Sequence, residues 1–211
     1  MATTAEFIID VPKWVQDEVP LRLTLPNRSK NGADWFYEFC QINDFWRFER
    51  TAQGEIIVMA PPGGDSGYSE SRAITQLMNW TDKKRSGRAY GNTGFRLPNG
   101  AVRSPDAAWV RQDRLAKLTR DETRKHIPLC PDFVIEIRSP SDRLPKLQAK
   151  MVEYLENGAR LGWLIDPDKR RVHVYRPRKP VEILDHPMKV PASPEVPGFV
   201  LKLAEIWNPG L

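Results

Sequence analysis

The run PDFVIEIRSP, from Pro131 to Pro140, constrains the fold more than any other part of the sequence. Its central residues, FVIEI, predict a buried β-strand, because apolar side chains occupy almost every position. Glu136 interrupts this apolar run and shares one face of the strand with Arg138, two residues further on. A buried glutamate is costly unless it is paired or binds a metal. The run therefore predicts either a structural ion pair, of Glu136 with Arg138 or with a lysine, or a functional carboxylate.

Length and composition indicate a globular protein with one good-sized domain. The chain has 211 residues, 40% of them hydrophobic, and its net charge is +5. That charge suits a polyanionic partner, but 32 basic against 27 acidic residues is a mild excess that many soluble enzymes share. Two cysteines, Cys40 and Cys130, are too few for a zinc cluster and are expected to stay reduced. The sequence has neither a secretion signal nor an apolar run of about 18 residues, which predicts a soluble, cytoplasmic protein without a membrane segment.

The order of helical and strand patterns predicts an α/β (or α+β) domain with a mixed β-sheet flanked by helices. An irregular, proline-rich arm over residues 1–30 is expected to precede a single domain over residues 31–211. The glycine-rich stretch 61–67 is expected to be a flexible loop over the site. Helices are predicted over 35–42, 69–85 and 143–157. Strands are predicted over 46–50, 55–59, 89–97, 101–110, 132–138, 162–166, 171–175 and 181–184.

A second carboxylate lies in the strand pattern that contains Ser104-Pro105-Asp106. By alternation, Asp106 shares a face with Ala108 and Val110, which predicts an inward-facing side chain. The structural alternative is a turn or bulge in which the Asp106 side chain caps its own backbone.

A lysine on the next helix completes a constellation. At about 100° per residue, Lys150 borders the apolar stripe of the helix over 143–157, whereas Lys146 points towards water. Asp106 and Glu136, if they converge, make a site for a hard divalent cation, and Mg²⁺ prefers one or two carboxylates with water and phosphate oxygens. Such a cation lowers the pKa of a bound water, and a neighbouring lysine can orient that water or stabilise developing charge.

This constellation resembles the PD-(D/E)xK nuclease superfamily, and the resemblance implies a restriction-endonuclease-like fold. More narrowly, it resembles a large bacterial family of endonuclease-like proteins, formerly classed as a domain of unknown function. The resemblance covers roughly residues 40–205. It rests on Pro105-Asp106, on PDFVIEIRSPSD at 131–142, on Lys150-xxx-Tyr154, on GWLIDP at 162–167 and on GFRLPNGAVRSPDAAWV at 94–110.

The resemblance implies a role for each site residue. Asp106 is implied as the metal-binding aspartate, Glu136 as the second carboxylate, and Ile137 as a metal ligand through its backbone carbonyl. The position of the motif lysine holds Arg138, a departure, and arginine cannot act as a base because it stays protonated. In this family the lysine has moved to the following helix, which here implies Lys150.

Two further acidic residues have weaker implied roles. Glu70, on the first long helix, is a possible additional metal ligand, since related nucleases often have a glutamate there. Its structural alternative is a solvated glutamate at a helix start. Asp132, about 13 Å along the strand from Glu136, is expected to cap the strand start.

Three hypotheses follow. The first is a Mg²⁺-dependent endonuclease (Mn²⁺ being a possible substitute) that hydrolyses phosphodiester bonds of DNA, with the homodimeric state that the resemblance implies. The second is a degenerate module of the same fold that binds nucleic acid or protein, with Arg138 replacing a metal beside Glu136. The third is a structural protein that dimerises through its N-terminal arm. Several basic side chains are either phosphate contacts or plain solvated surface: Lys83, Lys84, Arg85, Arg111, Arg114 and Arg124.

Overall fold

The strand that carries Glu136 lies inside the largest sheet of the protein. The computed structural model describes residues 9–10 and 35–210. Six strands form this sheet in the order β11-β10-β9-β8-β7-β4. Their bounds are β4 (Gly87–Tyr90), β7 (Ala107–Arg111), β8 (Phe133–Ile137), β9 (Leu161–Asp166), β10 (Arg171–Tyr175) and β11 (Glu182–Asp185). All five residues of β8 are buried, as their sequence predicts.

The sheet is mixed. β8 pairs antiparallel with β7, where Ala107 lies opposite Ile135, and parallel with β9, where Glu136 lies opposite Leu164. Parallel neighbours need a crossover connection, usually a helix. Here helix α5 (Leu144–Glu156) makes that connection, between β8 and β9.

A smaller sheet has the strand order β1-β3-β2-β6-β5. Its strands are β1 (Ile9–Asp10), β2 (Arg47–Arg50), β3 (Ile56–Met59), β5 (Phe95–Arg96) and β6 (Val102–Arg103). β2 and β3 form a hairpin, and β2 joins β6 through the pair Arg50 and Val102. A third sheet consists of β12 (Lys189–Pro191) and β13 (Val200–Lys202).

Helices cover both faces of the large sheet. Phe133 and Ile135 of β8 share one cluster with Leu77 of helix α2 (Gly64–Lys84). Val134 points to the other face and packs in a cluster that contains Met151 of α5. Because side chains alternate along a strand, Glu136 points to the α5 side as well. The remaining helices are α1 (Trp35–Ile42), α3 (Gln112–Leu115), α4 (Arg120–Arg124) and α6 (Ala204–Trp207).

Some predicted element bounds are confirmed and others are wrong. The helix predicted over 35–42 is confirmed as α1. The loop predicted over 61–67 is wrong in its second half, because α2 begins at Gly64 and its first turn closes through the Gly67 amide, which donates to the Gly63 carbonyl. The helix therefore begins five residues before its predicted start at Ser69. Its N-cap is Gly63, so no side-chain hydrogen bond caps the first turn.

The strands predicted over 89–97 and 101–110 are each divided between the two sheets. β4 and β7 belong to the large sheet, while β5 and β6 belong to the small one. Proline has no N–H for a ladder, and Pro105 lies at the break between β6 and β7. Asp106 therefore precedes β7 instead of lying within a strand.

Two other predictions bear on the chain as a whole. The predicted N-terminal arm, residues 1–30, falls outside the described residues except for Ile9 and Asp10, which pair in parallel with β3. Cys40 and Cys130 are free thiols, as expected. Within the described ranges, no helix has both the length and the apolar character needed to cross a bilayer.

Candidate active site

Glu136 is the centre of a buried polar cluster. Its side chain is 5% exposed and meets Lys150, whose Nζ lies 2.8 Å from Glu136 Oε1. The hydroxyl of Tyr154 donates to the same oxygen at 2.9 Å. Lys150 and Tyr154 are four residues apart on α5, so they lie on one face of that helix. The predicted Glu–Lys pair is therefore present.

Arg138 does not pair with Glu136. Its Nη1 donates to Asp166 Oδ2 at 2.8 Å, and its Nε donates to the backbone carbonyl of Asp142 at 3.3 Å. β8 ends at Ile137, so strand alternation no longer sets the direction of the Arg138 side chain. The predicted Glu136–Arg138 ion pair is wrong, and Lys150 is the cation beside Glu136.

Sequence analysis missed a fourth member of the cluster, Glu49 on β2. Glu49 Oε1 lies 2.8 Å from Lys150 Nζ, and it accepts a hydrogen bond from the Ser104 amide, also at 2.8 Å. Glu49 Oε2 lies 3.2 Å from Nη1 of Arg103, whose Nε contacts Glu153 Oε2 at 2.6 Å. The small sheet thus contributes a buried carboxylate to a cluster on the large sheet.

Opposite charges fix the protonation of Lys150. Burial alone would lower its pKa, but the carboxylates of Glu136 and Glu49 outweigh burial and raise the pKa above its ordinary value. The raised pKa favours the charged ammonium at neutral pH, and in that form Lys150 has no lone pair with which to act as a general base. Burial raises the pKa of Glu136, with Lys150 opposing that effect. Burial alone would raise the pKa of Glu49, but Lys150 and Arg103 together outweigh burial and lower it.

Asp106 reaches the same region from the segment between β6 and β7. Its Oδ2 accepts a hydrogen bond from the Ile137 amide at 2.7 Å, so its side chain joins the β6–β7 segment to β8 instead of capping its own turn. Burial raises the pKa of Asp106 well above its ordinary value, and the charges of Glu136 and Glu70 raise it further. The structure thus brings Asp106, Glu136 and Lys150 together.

Glu70 lies at the edge of this region, on α2. Its Oε2 accepts from Asn92 Nδ2 at 3.5 Å. Burial raises its pKa; Asn92 and the positive charge of Arg47 oppose the rise, and Asp142 adds to it. Glu70 is therefore half-buried near Asp106, not the solvated helix-start glutamate of the structural alternative.

Residues 33–204 match the model of the Uma2 family, described as "Putative restriction endonuclease". The chain belongs to the Uma2 family. Its fold is similar to a crystal structure from Anabaena variabilis described as a putative nuclease belonging to DUF820. The TM-score is 0.65 and the sequence identity 25%, over 76% of this chain and 89% of that one. No curated protein matches the sequence. The predicted bacterial endonuclease-like family and the predicted restriction-endonuclease-like fold are both confirmed.

The donor set of this Uma2 protein suits a hard cation with few protein ligands. Across residues 9–10 and 35–210, no group of three or more His, Cys, Asp or Glu side chains is arranged to hold a metal. Asp106 and Glu136 nevertheless lie close enough for the charge of Glu136 to add to the rise in the pKa of Asp106 that burial causes. Mg²⁺ uses one or two carboxylates and completes its shell with water and phosphate oxygens, so these residues fit it. The ligand role of the Ile137 carbonyl stays a prediction; its amide binds Asp106.

Most of the basic residues considered for phosphate contact lie away from this cluster in the Uma2 fold. From Glu70, helix α2 runs for roughly 20 Å, at about 1.5 Å per residue, before it reaches Lys84. β7 likewise leads away from Asp106 to Arg111, roughly 17 Å at about 3.3 Å per residue. Arg111 donates to Asp113. At that far end Asp132 accepts from the Arg111 amide at 3.0 Å and pairs with Arg114 at 3.1 Å, which agrees with its expected capping role.

Proposed function

We propose that this protein is a divalent-metal-dependent endonuclease that hydrolyses phosphodiester bonds of DNA, with Mg²⁺ as the cofactor and Mn²⁺ as a possible substitute. One observation carries the proposal. Asp106, Glu136 and Lys150 come from three separate segments and converge, through the Asp106–Ile137 and Glu136–Lys150 contacts. The family description and the similar nuclease structure support the same reaction class.

Each residue has a proposed role. Asp106 and Glu136, with the backbone carbonyl of Ile137, hold the metal. When bound, the metal lowers the pKa of a water and neutralises charge that develops on the phosphate. Lys150, as an ammonium, orients the attacking water and stabilises negative charge in the transition state instead of taking a proton. Arg138 has no direct part, since Asp166 holds its guanidinium.

Tyr154 has a supporting role in this scheme. Its hydroxyl and Lys150 Nζ both bind Oε1 of Glu136. Those two contacts fix the rotation of the carboxylate that would hold the metal. Groups that orient a metal ligand in this way typically change affinity or activity by about 10- to 100-fold when they are removed.

Cleavage of supercoiled and linear DNA with Mg²⁺ or Mn²⁺ tests the proposal. We expect the wild type to cut, and Asp106→Asn, Glu136→Gln and Lys150→Met each to lose roughly 100-fold or more in kcat. Lys146→Met, on the exposed side of the same helix, is the matched control and should cut normally. A folded wild type that cuts neither substrate with either metal would refute the proposal.

A second candidate function is a module that binds nucleic acid or protein without cutting. The observation in its favour is that Lys150 already balances Glu136 and Glu49, so part of the cluster is neutralised without a metal. Thermal unfolding with added Mg²⁺ or Mn²⁺ distinguishes the two. A ligand at 100 times its Kd stabilises the native state by about 2.7 kcal/mol. Stabilisation of that order that disappears in Asp106→Ala favours the nuclease, and no stabilisation favours the binding module.

We also propose a cytoplasmic homodimer in which residues 1–30 are an arm and residues 31–211 form one domain. Light scattering on the full chain and on a chain that lacks residues 1–30 tests the arm's contribution. A dimer that persists without these residues removes the arm from the interface, and a monomeric full chain rejects the dimer.

A further inference from the structure

Glu49 stands out because it reaches the site from the small sheet and belongs to none of the motifs that carry the proposed function. Lys150 Nζ lies 2.8 Å from Oε1 of Glu49 and 2.8 Å from Oε1 of Glu136. The Glu49 side chain is 4% exposed, so water does not replace this contact. The ammonium group is thus held between two carboxylates from different sheets.

Glu49 is itself held on both carboxylate oxygens. The Ser104 amide donates to Oε1 at 2.8 Å, and Arg103 Nη1 lies 3.2 Å from Oε2. Arg103 is fixed in turn by Glu153 at 2.6 Å. Ser104 is two residues before Asp106, so one short segment fixes both Glu49 and a proposed metal ligand.

Lys150 needs such an anchor because of its side-chain chemistry. A lysine ends in a compact ammonium on a flexible four-carbon stem, and its direction is not set by the stem alone. Glu136 and Tyr154 lie on the large-sheet side of Lys150, the ring centroid of Tyr154 being 6.0 Å from Nζ. Glu49 supplies the contact from the small sheet, and with it the ammonium has charged partners in two directions.

We propose that Glu49 is a positioning residue, which fixes Lys150 in the orientation that phosphodiester hydrolysis requires. This inference rests on the proposed nuclease function and deepens it. Glu49 acts through Lys150 and not on the substrate. Loss of its charge therefore lowers kcat and leaves binding of DNA and of the metal nearly unchanged. If the role of Glu49 were purely structural, its replacement would lower stability without lowering kcat selectively.

The variant Glu49→Gln tests the role, because glutamine keeps the size of the side chain and an oxygen for Ser104 and Lys150 but has no charge. We expect kcat to fall by roughly 10- to 100-fold, the range that follows from misplacing a catalytic group by about 1 Å. The KM for DNA and the Mg²⁺ affinity, measured by calorimetry on the free protein, should stay within about 3-fold. Glu153→Gln is the matched control, since it removes a carboxylate from the same Arg103 without touching Lys150; its kcat should stay within about 3-fold.

A second measurement does not depend on cleavage. Proton–nitrogen NMR of lysine ammonium groups detects those protected from exchange by burial and hydrogen bonds. We expect a signal that disappears in Lys150→Met and is thereby assigned to Lys150. It should be broadened or lost in Glu49→Gln and retained in Glu153→Gln. If Glu49→Gln fails to fold, Glu49→Asp, which keeps the charge on a shorter side chain, is measured in its place.

The outcomes separate this inference from the proposed function. If the wild type cuts and Glu49→Gln cuts equally well, the positioning role is overturned and the nuclease stands. If Glu49→Gln and Glu153→Gln lose kcat equally, the effect arises from Arg103, and the positioning role is again overturned. If the wild type fails to cut, the proposed function falls, and this inference with it.

Discussion

Replacing Lys150 by methionine tests the charge balance of the site through stability alone. The ammonium lies between Glu49 and Glu136, and the exposed fraction of each of the three side chains is 11% or less. Removing one partner of a buried ion pair costs about 3–5 kcal/mol, because a charge remains where water solvates it poorly. Glu49 keeps Arg103 as a partner, so we expect the lower end of that range, about 3 kcal/mol. For a chain of this size the unfolding midpoint should fall by roughly 6–12 °C.

The loss should depend on pH in a defined direction. Burial raises the pKa of Glu136 and Lys150 opposes the rise, so the pKa rises further once Lys150 is gone. A carboxyl whose folded pKa lies above its unfolded pKa favours the native state at low pH. It costs stability as the pH rises from the unfolded towards the folded pKa. The free energy lost on Lys150→Met should therefore be larger at pH 8 than at pH 5.

Urea denaturation followed by tryptophan fluorescence measures both effects. Lys146→Met, one turn earlier on α5 and exposed, should change the free energy of unfolding by less than about 0.5 kcal/mol. The double variant Lys150→Met with Glu136→Gln should recover part of the loss, because the stranded charge is gone. A loss for Lys150→Met no larger than that for Lys146→Met at pH 8 would refute the reasoning.

Three other variants give further tests by urea or thermal unfolding. Asp106→Asn removes a like charge beside Glu136. Without metal, the free energy of unfolding should therefore rise by roughly 1 kcal/mol at pH 8 and stay unchanged at pH 4. A lower free energy of unfolding at pH 8 would contradict this. Burial lowers the pKa of His173, so the native state loses stability as the pH falls below about 6.5. Between pH 7.5 and pH 5, His173→Gln should therefore lose less unfolding free energy than the wild type. An equal pH dependence of stability in the two proteins would contradict this. Arg138→Met leaves Asp166 buried without its cation and should lower the free energy of unfolding by about 3 kcal/mol. Arg138→Lys should lower it less. A loss below about 1 kcal/mol for Arg138→Met would show that the turn beyond β9 compensates for the missing cation.

The parts of the site that sequence predicted are those set by local patterns. The apolar run of β8 places Glu136 in a buried strand, and the apolar stripe of α5 places Lys150 towards the sheet. Both follow from the periodicity of a single element. The strand predicted over 101–110 includes Asp106, whereas Asp106 precedes β7 in the structure. The residues before and after Pro105 belong to different sheets, and the local sequence pattern does not show that division.

Glu49 could not be predicted in the same way. Its strand reads Arg-Phe-Glu-Arg, with charges at both alternating positions, so periodicity does not say which face is buried. Packing against β6 and α5 decides that question, and both elements come much later in the chain. The predicted Glu136–Arg138 pair is wrong for a different reason. It assumes that side chains alternate as far as Arg138, whereas β8 ends at Ile137.

The junction between the two sheets has a consequence for biosynthesis. Glu49 and Lys150 are on the order of 100 residues apart in the chain, so their contact is among the late, non-local ones in folding. A nascent chain that has completed the β2–β3 hairpin contains Glu49 but not yet Lys150. Under the proposed function, such a chain has no complete catalytic centre until α5 has been made and both sheets have docked.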